Sequence, residues 1–212
     1  MLLNFFIFIC LFYPVFIQAD HHILPTQKQL EQIQQDYDQD TVDRFTAWDK
    51  LLKNSKSKPT VEKLQLVNNF FNQMKWVEDK ELWNSKDYWA SPIESLIKNA
   101  GDCEDYSIAK YFTLLELGVD VKQLKISYVK IKDFHQSHIV LAYYPTPKSE
   151  PLIMDNMKPD ILKISQRAEL EIKYEFNDEG LWSHHDPHTP LGVVTEIKNW
   201  AEMVQRMEIK TN

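Results

Sequence analysis

Cysteine is nearly missing from this chain: among 212 residues only Cys10 and Cys103 carry thiols. Glycine is scarce too, with four in all, and there is no repeat, low-complexity segment or obvious linker, which favours a single folded domain. Lys and Arg form no patch and the net charge is −7, a balance that argues against nucleic acid as a partner. Charged side chains are absent altogether from Met1 to Ala19, an apolar run that ends on a small residue before Asp20. Such a run predicts a secretory signal peptide over residues 1–19, cleaved after Ala19, with residues 20–212 as the exported domain. An uncleaved membrane anchor is the alternative, and it too places the rest of the chain in an export compartment. Without its first segment the chain has one thiol, so no internal disulfide can form in that oxidising setting. A lone cysteine there is either deeply buried or used.

What is present points to use. Cys103 lies in Gly101-Asp102-Cys103-Glu104-Asp105-Tyr106, where a turn residue and an acid precede an amphipathic stretch that runs to Leu117. A helix N-terminus favours a thiolate, through unsatisfied N–H groups and the positive end of the dipole. Asp102, Glu104 and Asp105 oppose this, because carboxylates beside a thiol raise its pKa. A reactive Cys103 therefore requires something positive among the acids, such as a histidinium or a bound cation.

Apolar spacing predicts helices over Thr26–Asp36, Thr41–Lys53 and Thr60–Trp76, then an irregular aromatic segment from Leu82 to Trp89 and a short helix from Pro92 to Lys98. After Gly118 the period changes, with strands at Leu124–Ile131, Ser137–Tyr144, Pro151–Asp155 and Glu171–Phe176 and a closing helix over Val194–Met207. Helices first and an antiparallel sheet later is an α+β pattern.

A cysteine nucleophile needs a base and a group that orients it. His138 opens one predicted strand and Asp155 closes the next, so adjacent strands bring them side by side. His135 is the competing base, in the connector before that strand. His184-His185-Asp186-Pro187-His188 reads as a surface loop in preference to a metal site, and Trp76, Trp83, Tyr88 and Trp89 are candidates for a substrate groove or for core packing.

Four stretches carry a family resemblance: Val67-Asn68-Asn69-Phe70-Phe71-Asn72, Asp87-Tyr88-Trp89-Ala90-Ser91-Pro92, Gly101 to Lys110, and His138-Ile139-Val140-Leu141. In these, and in the order of helices, cysteine, histidine and aspartate, the chain resembles the bacterial transglutaminase-like cysteine proteinases over nearly all of its exported part. The resemblance implies a papain-like, transglutaminase-like core with a helical N-terminal part packed on an antiparallel sheet. It implies a periplasmic endopeptidase that cuts the N-terminal region of a large LapA-like surface adhesin at a di-alanine site and so promotes biofilm dispersal. It implies control by a LapD-like inner-membrane cyclic-di-GMP receptor, and a requirement for calcium (Ca2+). Carried over by position, Cys103 is the nucleophile, His138 the base and then acid, Asp155 the orienter, and Asp102, Glu104 and Asp105 are the calcium ligands. A calcium ion among these acids would also supply the positive charge that the thiol requires. Two other readings remain: an acyl transferase using the same triad, and a non-catalytic peptide-binding module.

Overall fold

Helices occupy the first half of the chain and strands most of the second. The computed structural model describes residues 25–132 and 136–211; the expected signal peptide and His135 lie outside the described residues. Helices α1 (Gln27–Asp36), α2 (Gln39–Ser55) and α3 (Thr60–Phe71) lead through strand β1 (Lys75–Trp76) and α4 (Asp79–Leu82) to α5 (Pro92–Lys98). Strand β2 (Ala100–Gly101) then runs into α6 (Cys103–Glu116). Strands β3 (Leu124–Ile131), β4 (Gln136–Tyr143), β5 (Leu152–Met154), β6 (Leu162–Lys163), β7 (Leu170–Asn177), β8 (Gly180–Ser183) and β9 (Asp186–Gly192) follow, and α7 (Lys198–Thr211) closes the chain. β1 and β2 pair in parallel, whereas the later strands form one antiparallel sheet in the order β6-β5-β4-β3-β7-β8-β9. The α+β arrangement matches the sequence reading. Among the described residues no helix is long and apolar enough to cross a membrane.

The central element is α6. Its Ile108, Ala109, Tyr111, Phe112 and Leu114 are buried, and it packs on β3, β4, α3 and α5. Alternation in the strands divides the sheet into two faces. Leu124, Ile126, Ile139, Leu141 and Tyr143 join the helices in the main core, while Val129, Ile131, Val140, Ala142, Ile153 and Ile172 form a smaller cluster on the opposite face. Trp200 docks α7 onto this core, stacked on Phe112 at 5.5 Å and edge-on to Tyr111 at 5.8 Å.

Both ends of α6 are defined by local chemistry. At the far end Gly118, with φ +80°, lets the N–H groups of Gly118 and Val119 return to the carbonyls of Leu115 and Leu114. Buried Lys63 donates Nζ to the Leu117 carbonyl at 2.7 Å, placing a cation on the negative end of the helix. At the near end α5 is started by a Ser91/Glu94 capping box with Pro92 in its first turn, and is stopped by Asn99 in the left-handed region. The chain thus turns at a fixed point three residues before Asp102.

Some elements differ from the sequence reading. α3 stops at Phe71 instead of Trp76, because the backbone beyond it pairs with β2: the N–H groups of Lys75 and Val77 donate to Asn99 O at 3.0 Å and Gly101 O at 3.1 Å. The helical period of the side chains continues past the point where tertiary pairing takes the backbone. α7 begins at Lys198, after a 3-10 turn at Val194–Glu196. Strands β6, β8 and β9 were not anticipated: β6 is two residues long, and β9, an edge strand, contains Pro187 and Pro190.

Candidate active site

Cys103 is placed by a glycine that leaves no free room for a side chain. A Cβ on Gly101 would lie 2.6 Å from both Cβ and Oδ2 of Asp105, so β2 can run this close to the first turn of α6 only without a side chain there. Asp102 is extended and α6 begins at Cys103. Asp102 makes no capping hydrogen bond with its side chain, so its carboxylate is not serving as an N-cap.

The start of α6 sits on an open stretch of β4. The last pair between β4 and β5 is Leu141 with Met154, so Ile139 lies beyond the edge that β5 covers. Ser107 Oγ, one turn into α6, faces both Cys103 O at 2.9 Å and Ile139 O at 3.3 Å. The Ile139 N–H favours the thiolate form of Cys103. Cys103 is therefore seated against the residue next to His138.

His138 and Asp155 are in direct contact and buried, with Nε2 of the imidazole 2.8 Å from Oδ1 of Asp155. If Nε2 carries the proton, Nδ1 is the free base. Asp155 also accepts from the Met157 N–H at 2.9 Å and from Arg167 Nη2 at 2.7 Å. Burial alone would raise its pKa, but the hydrogen bonds and charges of His138, Met157 and Arg167 outweigh that and hold the carboxyl below its ordinary range. Lys110, on α6 and 1% exposed, is pushed down to about 7 by burial, with the Asp155 charge acting in the opposite sense.

The thiol itself is engaged elsewhere: Sγ donates to Glu104 Oε2 at 3.0 Å. Among the described contacts no hydrogen bond joins Cys103 to His138. Burial, followed by the charge and hydrogen bond of Glu104, pushes the Cys103 thiol up, the effect expected of acids placed beside it.

Those acids are brought together with two more. Ligand atoms of Asp79, Asp102 and Asp105 lie within 4.8 Å of one another, as do those of Asp79, Asp87 and Glu104 and those of Asp102, Cys103 and Glu104. The cluster is held by few donors. Asp105 Oδ1 accepts from the Ala90 N–H at 2.7 Å, Asp79 Oδ2 from the Tyr88 N–H, and Asp87 Oδ1 from Trp89 Nε1 at 3.1 Å. Asp79 Oδ1, Asp102 Oδ1 and Asp105 Oδ2 are buried without a hydrogen-bond donor. Burial raises Asp79 to about 6 and Asp102 to about 10, with Glu104 adding to both, and raises Asp105 well above the carboxylate range. Buried oxygens of this kind, lacking donors and crowded by like charge, fit a hard divalent cation. Asp79 and Asp87 were missed from sequence; for Asp87 the signal was the stretch Asp87-Tyr88-Trp89, quoted for its family likeness but given no role, and for Asp79 there was none.

The other sequence candidates separate. Trp89 packs in the core, stacked on Phe176 at 5.8 Å, and Trp83 stacks on Tyr88 at 4.5 Å. Trp76, on β1 beside Gly101, is 55% exposed and Met157, two residues after Asp155, is 61% exposed, leaving two large apolar side chains near the site open to a ligand. His184 and His185 are exposed at the turn between β8 and β9, but the expected surface loop ends there: Asp186, Pro187 and His188 belong to β9, which pairs with β8 from Ser183–Asp186 onward.

Comparison with known proteins gives the fold and the site a context. A family model described as "Bacterial transglutaminase-like cysteine proteinase BTLCP" matches residues 32–186. The solved structure of EGTA-treated LapG from Legionella pneumophila is 42% identical, with a TM-score of 0.77 over 85% of this chain and 96% of that one. Calcium-bound Legionella pneumophila LapG is likewise 42% identical, with a TM-score of 0.74 over 85% of this chain and 98% of that one. No curated protein sequence matches significantly.

Proposed function

The chain belongs to the bacterial transglutaminase-like cysteine proteinases, and from that membership we propose that it is a calcium-dependent endopeptidase with Cys103 as nucleophile, His138 as general base and Asp155 as the group that orients the imidazole. The contact that carries the reading is His138 Nε2 to Asp155 Oδ1 at 2.8 Å, on the residue adjoining the one against which the Cys103 thiol is seated.

In this reading His138 Nδ1 takes the Cys103 proton as Sγ adds to the scissile carbonyl. The resulting oxyanion is met by the Cys103 N–H, which as the first in α6 has no helical partner. The C–N bond then breaks, and the imidazolium gives its proton to the leaving amine. His138 next takes a proton from water, whose oxygen attacks the thioester; the acid is released and the thiol regains its hydrogen. Asp155 keeps the imidazole in the tautomer that each step uses.

Asp79, Asp87, Asp102, Glu104 and Asp105 would hold the calcium, through oxygen donors that suit it. Bound there, calcium supplies positive charge that neutralises the acids beside the thiol. Glu104, the present acceptor of the Cys103 thiol, would be one of the residues holding the ion, which would free the thiol for His138.

We further propose that the substrate is the N-terminal region of a large surface adhesin, cut at a di-alanine site in the periplasm, and that a cyclic-di-GMP receptor of the inner membrane restrains the enzyme. The motifs shared with adhesin-releasing members of the family support this, as does the 42% identity to LapG. The test is to incubate an adhesin N-terminal fragment containing a di-alanine site with the protein in calcium and in EGTA, with Cys103→Ala alongside. One cut at that site, requiring both calcium and Cys103, is the expected result. A fragment left intact in calcium would remove the substrate assignment, and cutting by Cys103→Ala would remove the nucleophile.

A further inference from the structure

Asp155 is the first residue past β5, whose last ladder pair is Met154 with Leu141. No strand bond fixes its backbone, yet the orientation of its carboxylate decides which way the imidazole faces. Contacts from other segments supply what the sheet does not. Asn72, at the end of α3, donates Nδ2 to the Asp155 carbonyl at 2.9 Å. Arg167, in the turn before β7, donates Nη2 to Oδ2 at 2.7 Å. Arg167 is 2% exposed and is itself held by Glu169, with Nε 2.6 Å from Oε1. One turn earlier on α3, Asn68 donates Nδ2 to the Pro159 carbonyl at 2.9 Å and ties down the same loop. A carboxylate with one oxygen free can rotate and offer either oxygen, or neither, to a neighbour. With Oδ2 pinned by a buried guanidinium and the Met157 N–H on Oδ1, one arrangement satisfies every partner.

We propose that Arg167 and Asn72 are positioning residues for the reaction: Arg167 sets the plane of the Asp155 carboxylate and Asn72 its backbone, so that Oδ1 meets His138 Nε2 and Nδ1 is turned toward Cys103. This rests on the reading of Asp155 as the orienter of His138. It also gives a use to the Asn68 and Asn72 of the Val67–Asn72 motif, which neither the catalytic cluster nor the acid cluster involves. A purely structural Arg167 would neutralise a buried charge and affect stability alone.

The experiment compares Arg167→Met, Arg167→Lys, Asn72→Asp and Asp155→Asn in the full chain with calcium. It reads the alkylation rate of Cys103 by iodoacetamide at neutral pH, and kcat and KM on the adhesin fragment per titrated active site. Arg167→Met and Asn72→Asp are expected to lower alkylation and kcat by about 10–100-fold with KM unchanged, as loss of a supporting hydrogen bond does elsewhere. Arg167→Lys, which keeps the charge without the planar fork, should fall between Arg167→Met and wild type. On the Asp155→Asn background Arg167→Met should cost nothing more, since both act through one carboxylate. Arg167→Met that melts earlier but alkylates at the wild-type rate, beside an impaired Asp155→Asn, would overturn this inference alone. Asp155→Asn that alkylates like wild type would overturn the orienter reading and this inference with it.

Discussion

Asp102→Asn should make the calcium-free protein more stable while weakening its response to calcium. Burial, with Glu104 beside it, pushes Asp102 up to about 10. A carboxyl whose folded pKa lies above its unfolded one costs stability as pH rises from the unfolded value, because the unfolded chain releases a proton that the folded one retains. Between the ordinary value of 3.8 and pH 7 the full effect would be about 4 kcal/mol, at roughly 1.36 kcal/mol per unit. Asp102 is only half-buried, and solvent screening reduces this to about 1–2 kcal/mol. Asparagine carries no such penalty. At roughly 2–4 °C per kcal/mol for a chain of this size, Tm in EGTA should rise by about 2–8 °C at pH 7, and the gain should vanish near pH 4. Calcium at about 100 times its Kd should add roughly 2.7 kcal/mol to the wild type, or about 5–11 °C. The variant, short of one anionic oxygen, should show well under half of that shift. Thermal melts of both proteins in calcium and in EGTA decide the matter. A variant that melts below wild type in EGTA, or that keeps the full calcium shift, would refute the view that these acids are crowded for the sake of a cation.

Gly101→Ala should destabilise by about 1–3 kcal/mol in urea melts and reduce the calcium shift, because the added Cβ would meet Asp105 at 2.6 Å. Trp200→Ala, which removes a 2%-exposed ring stacked on Phe112, should cost about 3–5 kcal/mol in the same assay. His138→Ala should lower kcat by about 10²–10⁴-fold on the adhesin fragment and leave the melt within a few degrees of wild type.

The candidate site was legible in part because its chemistry is local. Cys103 at the start of a patterned helix, and His138 and Asp155 at neighbouring strand ends, each declare themselves within a few residues. Strands β3, β4, β5 and β7 followed from alternation for a similar reason, since the buried faces of β3 and β4 repeat with period two, whereas the two-residue β6 between them is too short to show a period. What stayed hidden depends on distance along the chain. Arg167 reaches Asp155 from the turn before β7 and Asn72 reaches it from α3, so no spacing rule links them. Asp79 and Asp87 join Asp102 and Glu104 only because β1 pairs with β2, the same pairing that ends α3 at Phe71 against the run of its apolar period. Glu104 as the acceptor of the thiol proton was also beyond sequence, which shows the two residues as neighbours but not which way either side chain turns.

The central claim is that the acid cluster controls whether Cys103 is a nucleophile. The most direct test is the alkylation rate of Cys103 by iodoacetamide across pH 5–10 in calcium and in EGTA, with the protein otherwise unchanged. The account predicts rapid alkylation in calcium, levelling off well below the pKa of an ordinary thiol, and slow alkylation in EGTA that rises only at alkaline pH. Equal rates and equal pH profiles in the two conditions would contradict it.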